Sequence, residues 1–141
     1  MKNIKYALRG ITMEQFATIF EPSSDKISLN VSIPIKTNYE GHSLAVGASV
    51  QFVENEKPFL VAEAFCHYEI EKSCWDKISG NNTKDAVLPK EFIDSLARIA
   101  IGTIRGAIYA KTENTTFSKF YLPIIEIGSS QEGSDLIIPK E

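Results

Sequence analysis

The chain has 141 residues, of which 43% are hydrophobic and 23% are charged, a content that predicts one domain with a single core and excludes a disordered polypeptide. Its 15 lysines and arginines nearly balance its 18 aspartates and glutamates, which argues against electrostatic capture of nucleic acid. The longest stretch without a charged residue, Gly41–Val53, is shorter than the roughly 18 residues of a membrane-spanning helix, so no membrane insertion is expected.

The first ten residues carry Lys2, Lys5 and Arg9, which leaves no room for the apolar middle of a secretion signal. A cytoplasmic location is therefore expected. The two cysteines, Cys66 and Cys74, are too few for a disulfide framework, and reduced thiols are expected inside a cell.

The first predicted element is a bent strand over residues 4–20. Its apolar residues change phase across Gly10, as a β-bulge or a sharp bend requires. Three more strands follow, because apolar and polar residues alternate over 27–36, from Leu44 to Phe52, and from Leu60 to Ile70.

Polar turns separate these runs, and no helical pattern interrupts them. Four strands in succession exclude the strand–helix alternation of a parallel sheet. The sequence therefore predicts an α+β fold in which a four-stranded antiparallel meander is followed by a helix packed on it.

That helix is predicted from Pro89, which suits a first helical turn, to about Thr112. Its polar residues form one narrow stripe, and apolar residues spread over roughly two thirds of its circumference. One sheet face cannot cover so wide a surface. Gly102, Gly106 and Ala107 would allow close contact with a partner helix, most simply that of a second copy of the chain. Alternatively, the two glycines are merely tolerated small residues.

After the helix, residues 117–127 form an apolar extended stretch in which Pro123 forbids an ordinary helix. Residues 128–141 are mostly polar and are expected to be mobile or loosely docked. The predicted organisation is one domain over residues 1–127 and a C-terminal tail over residues 128–141.

The sequence contains no convincing catalytic, metal-binding or nucleotide-binding pattern. Cys66, His67 and Cys74 do not complete a four-ligand set, and the glycine-containing stretch at 102–106 lies within the predicted helix. We therefore expect no enzyme, no metal and no cofactor. The predicted strands, helix and aromatic stretch carry more apolar surface than one core can bury. This excess instead predicts a protein that associates with itself and binds other polypeptides.

Two motifs resemble one family. Residues 56–60, Glu-Lys-Pro-Phe-Leu, lead into a strand that ends at residues 68–70, Tyr-Glu-Ile. Residues 104–108, Ile-Arg-Gly-Ala-Ile, precede Thr112 and an aromatic stretch with Leu122 and Pro123. Their order and spacing are similar to those of the SecB protein-export chaperones, which have four antiparallel strands, a long helix and a tetramer built as a dimer of dimers.

The resemblance implies a holdase that binds unfolded polypeptides without ATP hydrolysis and assembles as a dimer or a dimer of dimers. The positions that match the family's client-binding grooves, with one weaker candidate at Trp75, are Phe16, Phe20, Trp75, Phe117, Phe120, Tyr121 and Leu122. The family's acidic sheet surface, which docks a translocation motor ATPase, corresponds by position to Glu14, Glu54 and Glu56, although ordinary solvated acids are an alternative interpretation.

Two departures from the family leave its export role open. The turn predicted between the first two strands, residues 21–25, is short and lacks aromatic residues, and the tail after Ile127 shows no second amphipathic helix. A partner-specific binding module on the same fold, such as a chaperone dedicated to an antitoxin, is an alternative. An enzyme of the hotdog type ranks last, because its helix comes early in the chain and these residues supply no suited acid or histidine.

Overall fold

The computed structural model describes residues 4–38, 41–79, 85–127 and 136–139. Its elements, in chain order, are β1 (Tyr6–Thr18), β2 (Ile27–Ser32), β3 (Ile35–Asn38), β4 (Ser43–Glu54), β5 (Lys57–Ile70), α1 (Lys72–Ser79), β6 (Asp85–Leu88), α2 (Lys90–Thr112) and β7 (Leu136–Pro139). The predicted α+β fold is confirmed, since an antiparallel sheet is followed by a long helix that packs on strands β4 and β5.

The predicted meander is wrong for the first strand. Strand β1 pairs with β5, with Tyr6 opposite Ile70 and Thr18 opposite Leu60, so the sheet order is β1-β5-β4-β2. Strand β5 is apolar on parts of both faces, as is typical of a strand in the middle of a sheet. Its hydrogen-bonded neighbours are β1 on one edge and β4 on the other. The chain therefore crosses from one edge of the sheet to the other between β1 and β2.

The sheet has five strands because the predicted strand over 27–36 divides at Pro34 into β2 and β3, which both pair with β4. Proline has no N–H to donate to a ladder, and its carbonyl oxygen accepts a hydrogen bond from the Gly47 amide at 2.9 Å. The division lets the edge strand bend without losing β4 as its partner.

Strand β1 is bent as predicted. Its register against β5 shifts between Leu8 and Gly10, and it shifts again between Met13 and Gln15. The first shift confirms the bulge expected near Gly10, and the second was not predicted. Each bulge returns the apolar side chains of β1 to the inner face of the sheet, the face that carries Ala62 and Ala64 of β5. The strand can therefore follow β5 along its whole length of thirteen residues.

Strands β4 and β5 form a tight hairpin. Its two turn residues, Asn55 and Glu56, have φ values of 50° and 68°, and Glu54 pairs with Lys57 across the turn. Positive φ at both central residues is typical of the turn whose twist matches that of the flanking strands. The hairpin therefore brings the end of β4 next to the start of β5.

Helix α2 spans nearly the predicted range, beginning at Lys90 directly after Pro89 and ending at Thr112. The left-handed Asn114, with φ of 63°, turns the chain away from the helix end. Helix α1 was not predicted, because eight residues are too short for a clear period. It buries Cys74 and Trp75.

The tail contributes one strand to the described structure. Strand β7, which contains the apolar patch at 136–138, pairs antiparallel with β6. Residues 80–84, 128–135 and 140–141 lie outside the described residues. The domain boundary after residue 127 stays a prediction.

The core lies between α2 and the inner face of β4 and β5, and its fully buried members include Val46, Leu60, Leu96, Ile104 and Ile108. On the outer face, the Phe65 ring packs against Gly47 so closely that a Cβ there would lie 2.8 Å from the ring. The Lys36 ammonium group lies 4.4 Å from the centre of the same ring. The outer face is thus partly closed by its own side chains.

Candidate polypeptide-binding site

Five phenylalanines from distant parts of the chain meet at one end of the sheet. This aromatic cluster consists of Phe20, Phe52, Phe59, Phe117 and Phe120. The Phe120 ring lies 4.8 Å from Phe59, edge to face, and 6.0 Å from Phe52, measured between ring centres. The sequence resemblance named three of these residues, and the structure brings those three together.

Phe52 and Phe59, which sequence reasoning did not assign to the site, form the floor of the aromatic cluster. Phe52 near the end of β4 and Phe59 near the start of β5 are buried, and the tight hairpin sets their ring centres 6.2 Å apart. The alternation from Leu44 to Phe52 marked Phe52 as a core residue, and Phe59 was part of the motif at residues 56–60, but no local signal could show that Phe120 would pack on both.

Two chain segments border the cluster. The first connection comprises residues 19–26 between β1 and β2, and the post-helix segment comprises residues 113–121. The Thr116 hydroxyl donates a hydrogen bond of 2.8 Å to the Glu21 carboxylate, which links the two segments. A cavity of about 360 Å³ lies between them, lined by residues 22–25 and Ile27 on one side and by Lys119 and Phe120 on the other.

Glu54 holds the first connection in place. Its carboxylate accepts hydrogen bonds from the backbone amides of Ser23 at 2.9 Å and Ser24 at 2.6 Å. Hydrogen bonding by the Ser24 side chain, then by the Ser24 and Ser23 amides, holds the pKa of Glu54 below its usual value against the opposing effect of burial.

This role removes Glu54 from the predicted motor-docking acids, because its side chain is buried and faces its own chain. Glu14, beside the second bulge of β1, and Glu56, in the hairpin turn, are exposed. Their assignment to motor docking stays a prediction.

The outer sheet face carries charges of both signs. Arg9 and Glu69 form an ion pair of 2.7 Å, and the Thr12 hydroxyl lies 2.8 Å from Nε2 of His67. With Lys36 over the Phe65 ring, this part of the sheet is not the uniformly acidic surface that the resemblance implied.

Two of the predicted client-binding residues are buried in the core. Trp75 on α1 and Leu122 are each 1% exposed, so neither can contact another polypeptide in this conformation. Trp75 packs near the His42 ring, at 6.2 Å between ring centres. The resemblance implied both positions, and an apolar side chain at a matching position does not distinguish a core residue from a binding residue.

Tyr121 and Phe16 differ in exposure. Tyr121 is 67% exposed at the end of the post-helix segment. Phe16 on β1 is half-buried, and the Lys111 ammonium group lies 5.4 Å from its ring centre. Both side chains therefore offer apolar surface, Tyr121 fully and Phe16 in part.

Two arginines of α2 hold the extended segment, residues 122–127. Arg105 donates hydrogen bonds to the carbonyl oxygens of Leu122 at 2.8 Å and Pro123 at 2.7 Å, and Arg98 donates one to Ile127 at 3.1 Å. Both arginines belong to the polar stripe predicted on α2. The sequence could not show that the stripe would bind backbone carbonyls rather than water.

The predicted interface residues lie on an open surface of α2. Gly102 and Gly106 are exposed, a Cβ at either would meet nothing within 4 Å, and Ala107 is half-buried. Ile99 and Tyr109 on the same helix are also exposed. On β1, the exposed apolar side chains are Tyr6, Leu8 and Ile11, and the Tyr6 ring also packs edge to face on Phe92 of α2 at 5.1 Å between ring centres. Both surfaces therefore present apolar side chains to the outside of this subunit.

A search of the described ranges finds no group of three or more histidines, cysteines and acids that could hold a metal ion. In the same ranges no helix has the length and apolar content needed to cross a bilayer.

Comparison with known proteins supports the fold. No protein-family model matches the sequence, and no curated protein matches it. The structure is similar to that of the Mycobacterium tuberculosis Rv1957 SecB-like chaperone, solved in complex with a ChAD peptide from the Rv1956 HigA1 antitoxin. The TM-score is 0.54 at 12% sequence identity, covering 86% of this chain and 88% of the other. The chain thus has the fold of a SecB-like chaperone.

Proposed function

We propose that the protein is a cytoplasmic, ATP-independent holdase that binds apolar segments of unfolded polypeptides. The aromatic cluster between the first connection and the post-helix segment is the observation that carries this proposal. Beside its half-buried rings, Ile19 and Tyr121 are exposed, and Ile124 is 90% exposed. Apolar side chains concentrated along a groove suit an extended apolar polypeptide.

Self-association is the second part of the proposal. The small-residue face around Gly102 and Gly106 would allow a second helix to approach closely, and Tyr109 is 64% exposed on the same helix. A second copy of the chain would cover this face and the apolar side chains of β1. We propose a dimer or a dimer of dimers.

A chaperone dedicated to one partner is the second candidate function. The outer sheet face has mixed charge and Glu54 is engaged within its own chain, so two supports for docking a translocation motor are weakened. The fold neighbour was solved with an antitoxin peptide, which favours a polypeptide partner other than an export client. A role in protein export, with a motor ATPase as partner, would be an additional function of the general holdase.

The experiment measures suppression of aggregation of several unrelated unfolded proteins by the purified chain, together with its mass by light scattering. Tyr121→Ser should weaken the protection severalfold and leave the mass unchanged. Tyr109→Ser is the matched control with similar exposure, and it should lower the mass of the assembly. Equal loss of protection in both variants would contradict a site at the aromatic cluster.

The same experiment separates the two candidates. Protection of several unrelated proteins supports the general holdase. Tight binding of one polypeptide without any general protection supports the dedicated chaperone. A monomer that protects nothing and binds no polypeptide would refute both.

A further inference from the structure

The floor of the aromatic cluster is already occupied in the free protein. Phe59 is 0% exposed, and Phe120 packs on it and on Phe52 with ring-centre distances of 4.8 and 6.0 Å. The Phe20 ring centre also lies 5.9 Å from that of Phe59. An incoming side chain can therefore reach the floor only if Phe120 leaves it.

The post-helix segment that carries Phe120 is attached in a way that permits this movement. Its described backbone–backbone hydrogen bonds are all local, from Thr115 to Thr112, from Ser118 to Thr115 and from Phe120 to Phe117. None of them joins the segment to the sheet, so the segment can move without breaking a ladder.

The two ends of the segment are fixed. Thr112 is buried at the helix end and its hydroxyl donates to the Ile108 carbonyl at 2.7 Å, while Arg105 holds the Leu122 carbonyl. Between these ends, the described side-chain attachments are the exposed Thr116–Glu21 hydrogen bond and the packing of Phe117 and Phe120. The segment is thus a short strap held by two aromatic rings, of which Phe120 is the one in described ring contact with the floor.

We propose that Phe120 is a resident occupant of this floor and that an aromatic side chain of the bound polypeptide replaces it. The inference rests on the proposed function and deepens it, because it identifies Phe120 as the side chain that a bound polypeptide must displace from the floor. A floor built from phenylalanine rings and filled by one matches another aromatic ring in shape and in edge-to-face geometry.

Competition between Phe120 and the client has a measurable consequence. The apparent affinity of a client equals its intrinsic affinity multiplied by the fraction of chains whose floor is open. Removing the Phe120 ring opens the floor permanently. Phe120→Ala should therefore tighten the binding of an aromatic client by on the order of tenfold, rather than weaken it.

The experiment uses the full-length chain and a fluorophore-labelled, extended apolar peptide with a single phenylalanine, followed by fluorescence anisotropy. Tighter binding to Phe120→Ala than to the unaltered chain, lost when the peptide phenylalanine is replaced by alanine, supports the proposal. Phe117→Ala is the matched control: it removes a ring of the same cluster whose described ring contact is with Phe120, so Phe120 still occupies the floor and binding should not tighten.

Weaker or unchanged binding to Phe120→Ala, while the unaltered chain binds the peptide, overturns the resident-occupant proposal and leaves the holdase proposal standing. Binding to neither form, together with no protection of unfolded proteins, overturns the holdase proposal itself. A second measurement does not depend on a stable variant: a 4-fluorophenylalanine at position 120 should move to a solvent-exposed ¹⁹F shift when peptide binds. An unmoved signal with peptide bound contradicts displacement.

Discussion

The carboxylate of Glu54 accepts a hydrogen bond of 2.6 Å from the backbone amide of Ser24, thirty residues earlier in the chain. This contact joins the last residue of β4 to the first connection, which borders the aromatic cluster. The charged Glu54 side chain thus positions the first connection, which forms one wall of the proposed groove. Protonation of the Glu54 carboxylate should release that wall.

The first prediction concerns pH. Because the pKa of Glu54 is lowered in the folded chain, its stabilising effect is present above the unfolded pKa of about 4.3 and is lost as the pH falls through the folded pKa. Glu54→Gln should melt at a lower temperature than the unaltered chain near neutral pH, and the two melting temperatures should converge in acid.

Thermal unfolding followed by circular dichroism from about pH 7 to about pH 3 checks this prediction. Glu56→Gln is the control, because Glu56 is exposed in the hairpin turn and no described hydrogen bond of its side chain depends on its charge. A constant gap between Glu54→Gln and the unaltered chain across the whole range would contradict the proposed role of the carboxylate.

The second prediction compares two glycines. A Cβ at Gly47 would lie 2.7 Å from the Ala64 carbonyl oxygen, whereas a Cβ at Gly102 would meet nothing within this subunit. Gly47→Ala should lower the free energy of unfolding by about 1–3 kcal/mol through overpacking. Gly102→Ala should raise it by up to about 1 kcal/mol through helix propensity.

Urea denaturation of both variants at low protein concentration measures these changes. Light scattering on Gly102→Ala adds a second readout, since a Cβ that obstructs a close helix contact should weaken assembly while the subunit becomes more stable. Equal destabilisation by both substitutions would show that Gly102 is not open within the subunit.

The third prediction concerns Arg105, which donates to the carbonyls of Leu122 and Pro123. Because hydrogen bonds from a charged donor contribute about 1.5–3 kcal/mol when sheltered and less when exposed, Arg105→Ala should cost about 1–2 kcal/mol. Amide hydrogen exchange should become faster over the extended segment. Arg98→Ala, which removes a single exposed bond of 3.1 Å, should have a smaller effect on both measurements.

The fourth prediction uses Trp75, the single tryptophan of the sequence. Since its side chain is buried in α1, the fluorescence should be blue-shifted and poorly quenched by acrylamide. Saturating amounts of an unfolded polypeptide should leave the emission maximum unchanged. A shift of the emission maximum without a change in assembly would contradict this prediction and support a role for Trp75 in binding.

Part of the candidate site could be read from local pattern and resemblance. The resemblance implies Phe20, Phe117 and Phe120, and the structure brings them into one cluster. Trp75 and Leu122 were assigned to the same surface, although both are buried. An apolar side chain favours burial and binding for the same physical reason, so composition alone could not separate these two outcomes.

Local sequence pattern was enough to predict the four long strand regions, the long helix, the bulge near Gly10 and the antiparallel class of the sheet. Each of these depends on the period of apolar residues within a short window, which records the faces that turn away from water. The tertiary structure alone decided that β1 pairs with β5, that Phe120 covers Phe59, and that Glu54 holds Ser24. Those contacts join residues about 30 to 60 positions apart, and the free energy that selects them comes from packing and hydrogen bonds that no local pattern encodes.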